Sequence, residues 1–115
     1  MAQLHAKITV RLFTDEKCFG PGVAELLHRV DQCHSLRSAA ISMEMAYSKA
    51  WTIIHNMEQR LGFPVLEVKI GGKHGGGATV TPEARQILEA YERYCSRINE
   101  FAKDAFREEF DFLES

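Results

Sequence analysis

Tyr47, Ser48, Lys49, Thr52, His55 and Asn56 bring hydroxyl, ammonium, imidazole and carboxamide groups onto successive turns of one stretch. At helical spacing they share an outward face, and their chemistry is that of groups that exchange hydrogen bonds with base edges and phosphates. Lys49 suits a phosphate or guanine, Asn56 suits adenine, and Ser48 or Thr52 can bond to either. A second set lies in Gly71-Gly72-Lys73-His74-Gly75-Gly76-Gly77, where missing side chains let the backbone approach a partner closely and Lys73 and His74 supply the polar reach. Arg37 and Ser38, at the start of the preceding helix, are placed to touch a nucleic-acid backbone. The plainer reading of all these residues is a solvated polar face and an idle hairpin tip. Trp51 reads as a core anchor beneath the helix rather than a base-stacking group.

Other chemistries fit less well. A Walker phosphate loop needs G-x-x-x-x-G-K-[ST] leading into a helix, whereas Gly76 is followed by Gly77-Ala78 and a strand. Cys33-His34 are adjacent, but Cys18, Cys95, His5, His28, His55 and His74 are scattered without ligand spacing, so no metal or cofactor is expected. No G-x-S-x-G or H-E-x-x-H pattern occurs, and acids such as Glu58 and Glu67 read as solvated faces. The expectation is a non-enzyme.

The elements that position these groups follow from periodicity. Ile8, Val10 and Leu12 alternate along 7–13 as in a half-buried strand, with a polar turn over 15–17. Pro21 opens a first helix, about 21–33, that repeats Val23, Leu26, Leu27 and Val30. Ser35 caps a second helix, Met43-Glu44-Met45 turns the chain, and a third helix runs from near Ala46 to Leu61. Its inner face is Ala50, Ile53, Ile54, Met57 and Leu61, and Gly62 stops it. The helix-turn-helix thus occupies about 36–61, and two short strands around the glycine loop form a wing over about 65–81. Thr81-Pro82-Glu83 starts a last helix, about 82–109, roughly 40 Å long at ~1.5 Å per residue. Ala84, Leu88, Tyr91, Cys95, Ile98, Ala102 and Ala105 form a heptad-like seam along it, widened by Ile87, Tyr94 and Phe101. So small a domain has little core to cover that stripe, so a second copy is expected to bury it as an antiparallel or crossed helix pair. Phe110 to Ser115 reads as a loosely held end, with Phe110, Phe112 and Leu113 as the residues able to dock it.

At 115 residues the chain is read as one domain, 1–115. No apolar run reaches the ~20 residues needed to cross a bilayer. Three cysteines are too few and odd in number for a disulfide framework, which points to the cytoplasm. The net charge of −2 is unevenly distributed: residues from Glu100 onward are acidic, and the body before them is mildly basic. That balance permits DNA contact without demanding it.

Phe19-Gly20-Pro21-Gly22, Met45-Ala46-Tyr47-Ser48-Lys49-Ala50-Trp51, the 71–78 glycine loop and Thr79-Val80-Thr81-Pro82 resemble the N-terminal DNA-binding domain of ModE-type molybdate-dependent regulators. They also resemble the stand-alone members of that group, which share the LysR-type winged helix. The resemblance covers about residues 7 to 95. It implies a dimeric bacterial transcription factor with helix three in the major groove, the wing near phosphates, and first and last helices pairing subunits. Three positions depart from the family pattern: Glu44 replaces the usual turn glycine, Ala46 replaces a serine, and a basic pair is reduced to Ser48-Lys49. The chain ends before molybdate-binding domains would begin, so oxyanion sensing is not expected.

The combined expectation is an α+β, mainly α, winged helix-turn-helix with a long C-terminal dimerisation helix. Its partners would be double-stranded DNA and itself as a homodimer, with no membrane and no molybdate. DNA contacts are expected from Arg37, Ser38, Tyr47, Ser48, Lys49, Thr52, His55, Asn56, Lys73 and His74. The dimer interface is expected from Leu88, Tyr91, Cys95, Ile98, Ala102 and Ala105. The alternative is a winged-helix scaffold that binds protein with reduced or lost DNA binding; a ligand sensor at the seam near Cys95 has no motif behind it.

Overall fold

The computed structural model describes residues 3–69 and 77–113. Leu12–Phe13 (β1) and Lys17–Phe19 (β2) form a small antiparallel hairpin, followed by helices Pro21–Cys33 (α1), Leu36–Ser42 (α2) and Tyr47–Leu61 (α3). Strands Leu66–Lys69 (β3) and Gly77–Val80 (β4) pair antiparallel in register from Leu66 opposite Val80 to Lys69 opposite Gly77. The 29-residue helix Pro82–Phe110 (α4) then runs out, ending in a 3-10 turn over Asp111–Leu113. This is a mainly α winged helix-turn-helix with a long C-terminal helix.

One core joins these elements. Leu26, Leu27 and Val30 of α1, Ala39 and Ala40 of α2, Ala50, Ile54 and Met57 of α3, Val80 of β4 and Leu88 of α4 are all buried in it. Ala39 and Ala40 are fully buried because only small side chains let α2 pack this close to its neighbours. Polar ties fix the layers. Arg29 of α1 donates to the carbonyl of Ser42 at 2.6 Å, and the Arg85 and Asp31 side chains join α4 to α1 at 2.8 Å. The Val65 N–H donates to the Glu58 carboxylate at 2.8 Å, linking α3 to the wing, so Glu58 is a half-buried structural acceptor rather than part of a solvated face. Thr81 Oγ1 donates to the Pro64 carbonyl at 2.6 Å and accepts from the Ala84 N–H at 3.2 Å, capping α4 while closing the base of the wing.

The N-terminal strand is far shorter than the alternation of 7–13 suggests. Residues 3–11 are in no strand, because a strand needs a paired edge and only Leu12 and Phe13 find one. The partner begins at Lys17, inside the expected turn, and it buries Cys18 and Phe19. Phe19 meets the Tyr91 ring edge-on at 4.8 Å, and Tyr91 Oη donates to the Val10 carbonyl at 2.7 Å, so the unpaired segment is held to α4 by a side chain. The expected loose end is partly ordered: Phe106 packs on Phe110 and Phe110 on Phe112 along the end of α4.

Candidate nucleic-acid interface

The turn between α2 and α3 sets the exposure of the third helix. Ser35 accepts from the Ser38 N–H at 3.1 Å to start α2, and after Ser42 the chain reverses through Met43, Glu44 and Met45. Glu44 adopts φ 54°, the left-handed region where glycine is at ease and other residues are strained. α3 begins after Ala46, which supplies no side-chain cap, and its first turn contains no acid. Its leading N–H groups therefore leave an uncompensated positive end on the same surface as Tyr47, Ser48 and Lys49.

The outward side of α3 divides into three stripes. Ser48 and Thr52 form the exposed crest, and Gln59, not anticipated from the sequence although helical spacing places it there, continues it. Thr52 Oγ1 donates to the Ser48 carbonyl at 2.9 Å, so its hydroxyl oxygen remains free to accept. Lys49 and Asn56, both exposed, lie on the flank toward the β1–β2 hairpin. Tyr47, Trp51 and His55 lie on the flank toward the wing, beside a cleft of about 700 Å³ that also includes Arg37, Val68 and Lys69. Arg37 holds its guanidinium 4.3 Å above the Tyr47 ring, and Ser38 is exposed beside it.

Trp51 is not the core anchor expected of it. It is 46% exposed, with its indole stacked on the His55 imidazole at 3.5 Å and 20°. The reason is rotational: Ala50, Ile54 and Met57 point inward, so position 51 falls a third of a turn away from them. His55 Nδ1 donates to the Trp51 carbonyl at 3.1 Å, which holds the ring on the helix beside the indole. Lys73 and His74 lie outside the described residues. At Gly77, the described end of the glycine run, a Cβ would stand 3.2 Å from the His34 carbonyl, so there the close approach is to the protein's own backbone. The Ala78 N–H donates to that same carbonyl at 2.8 Å, anchoring the wing to the α1–α2 loop.

The expected dimer seam splits in two. Leu88 and Tyr91 are 1% and 6% exposed within this protomer's own core, so neither has surface to give a partner. Cys95 and Ala102 face the N-terminal segment around Val10 and Leu4. Ile98 and Ala105 stay half-buried on the neighbouring stripe, where Tyr94 and Phe101 are 52% and 76% exposed. Among the described residues, no group of three or more His, Cys, Asp and Glu side chains could hold a metal ion, and no helix is long and apolar enough to cross a membrane.

Comparison with known proteins agrees with this geometry. Residues 23–85, spanning α1 to the first turn of α4, match the family described as bacterial regulatory helix-turn-helix protein, lysR family. Transcriptional regulator ModE of Haemophilus influenzae is 34% identical over 89 residues, covering 77% of this chain and 33% of that protein. Molybdenum-pterin-binding protein MopB of Rhodobacter capsulatus is 35% identical over 66 residues, or 57% of this chain and 24% of that protein. The DNA-binding transcriptional dual regulator ModE of Escherichia coli K12 is 29% identical over 90 residues, 77% of this chain and 34% of the regulator. The chain therefore spans about a third or less of the length of these relatives. They are regulators or binding proteins rather than enzymes by name. With more than half of its residues inside the match and the α2–turn–α3 unit presented as described, the chain belongs to the LysR family of bacterial regulatory helix-turn-helix proteins.

Proposed function

We propose that this chain is a sequence-specific, DNA-binding transcriptional regulator that acts in the cytoplasm as a homodimer. The observation that carries the reading is the outward face of α3. Ser48, Lys49, Thr52 and Asn56 stand exposed around the uncapped positive end of the helix. Such a helix enters the major groove with its N-terminal residues at the base edges, while phosphate contacts supply most of the affinity. Arg37 and Ser38 lie where one phosphate strand would pass, and Lys73 and His74 at the wing tip would reach the backbone farther along. Dimerisation would bury the Tyr94, Ile98, Phe101 and Ala105 stripe of α4, with Cys95 and Ala102 at its margin. No molybdenum ligand is assigned to these residues.

A protein-binding scaffold is the second reading, favoured by the exposure of Trp51 and Val68 on the same face. One titration separates the two. Duplexes selected from a randomised pool are labelled, and fluorescence anisotropy is followed at several salt concentrations, with and without added molybdate. The regulator binds selectively, loses affinity steeply with salt and ignores molybdate. Replacing Lys49 by Ala weakens it by about 3- to 10-fold, the ~1 kcal/mol scale of one exposed charged contact. A dimer that selects no duplex at low salt would establish the scaffold instead.

A further inference from the structure

The β1–β2 hairpin is outside the span of the family match and has no part in the reading above, yet it brings cations to the recognition helix. Arg11 and Lys17 share a cleft of about 380 Å³ with Lys49 and Asn56 of α3, floored by Met45 and Ile53. Among the described residues, none of these three cations has an ion-pair partner. The hairpin's acids are engaged elsewhere: Asp15 and Glu16 both bind the Arg60 guanidinium, at 2.6 and 2.7 Å. That double pair fastens the hairpin tip to the far half of α3, turning both carboxylates toward Arg60, whose charge offsets one of the two. The first turn of α1, at the edge of the cleft, carries no acid either.

Duplex geometry indicates what such a cleft faces. A helix with its side chains is about 10–12 Å across and the major groove is about 12 Å wide, so a helix seated there has one phosphate strand along each flank. Arg37 and the wing serve the Trp51 flank, and the hairpin cleft lies on the other. We infer that Arg11 and Lys17 are a phosphate clamp on the second DNA strand, closing on its backbone opposite Arg37 and acting together with Lys49. The inference rests on the DNA-binding reading and adds to it the residues that hold the other edge of the groove. Phosphate contacts position a protein without reading sequence, so the clamp contributes affinity and orientation but no base preference.

The test uses duplexes selected by the wild-type chain from a randomised pool, titrated by anisotropy between 50 and 200 mM KCl. Arg11→Gln and Lys17→Gln each shrink the affinity lost over that range by about threefold, because the salt slope falls by about 0.9 per phosphate contact removed. The double variant shrinks it by about tenfold, and Lys17→Arg restores the slope. Arg93→Gln on α4 removes the same charge at a distance and leaves the slope unchanged, and unchanged thermal unfolding shows that each variant is folded. Sites selected afresh by the double variant keep the wild-type base preference. Hairpin variants that bind with the wild-type slope, that match Arg93→Gln, or that alter base preference instead overturn the clamp while leaving DNA binding intact. A wild type that selects no duplex overturns both readings together.

Discussion

Glu44 shows how one side chain can work against its own backbone. At φ 54° an L-residue costs ~1–2 kcal/mol relative to the right-handed region, and a glycine would cost ~0.5–1 kcal/mol of unfolded-state entropy instead. Glu44→Gly should therefore stabilise the fold by about 0.5–1 kcal/mol, read as a rise of a few degrees in Tm. The substitution also removes a negative charge from the exposed turn that precedes Tyr47, Ser48 and Lys49, so DNA binding should tighten at low salt; an unchanged or lowered Tm would mean the turn is not strained. Tyr91 carries the opposite lesson. Burial, reinforced by the neighbouring Cys95, pushes its phenol up to about 12 from 10.0. A raised folded-state value means that the stabilisation is complete below pH 10 and is lost as pH climbs toward 12. Tyr91→Phe forfeits about 1 kcal/mol at neutral pH through the lost bond to Val10, and its stability should stay flat across the alkaline window where the wild type declines. Parallel melts at pH 8, 10 and 11.5 give both numbers.

Among the elements, those defined by local signals were the legible ones. Pro21 and Pro82 start α1 and α4, Ser35 and Thr81 cap α2 and α4, and Gly62 in its left-handed conformation ends α3, all decided within a few residues of chain. The N-terminal strand was not legible, because alternation describes one edge only and pairing depends on a second strand that the pattern of 7–13 does not encode. Trp51 has a size that suggests burial, but its angular position relative to Ala50 and Ile54 turns it outward, and that position follows from helical spacing alone. Arg11 and Lys17 gave no signal at all, since their proximity to Lys49 exists only once the hairpin folds onto α3. The α4 stripe was legible as apolar, but not in its division between the core at Leu88 and Tyr91 and the outward run at Tyr94 and Phe101. That division predicts that Phe101→Glu, on a position 76% exposed, leaves the protomer's melting unchanged but shifts sedimentation from dimer to monomer at micromolar concentration. Leu88→Ala, by contrast, should cost about 2–5 kcal/mol through a core cavity whatever the oligomeric state. A Phe101→Glu chain that still sediments as a dimer would place the seam elsewhere.

The whole molecule is elongated, 64 by 32 by 21 Å, because about four turns of α4, beyond Cys95, extend past the core. In the proposed dimer the pairing surface is on that extension and the reading face is at the other end, so the two recognition helices are set by rigid structure rather than by a linker. Selected DNA sites should accordingly be inverted half-sites at one fixed separation, near a helical turn of ~10 base pairs. Insertion of five base pairs between the halves, which rotates one of them to the opposite side of the duplex, should reduce affinity to that of a single half-site. Retained affinity across several spacings would show that the protomers read independently.

The extended α4 also acts as a lever arm. From Leu88, fixed in the core, to Phe101 on the pairing stripe is thirteen residues, roughly 20 Å of helix at ~1.5 Å per residue. A change of ~15° in the crossing angle at the far end would swing each head by about 5 Å, more than the ~3.4 Å step between base pairs. Small repackings among Tyr94, Ile98 and Phe101, distant from any nucleotide, would thus retune which operator lengths the protein can span.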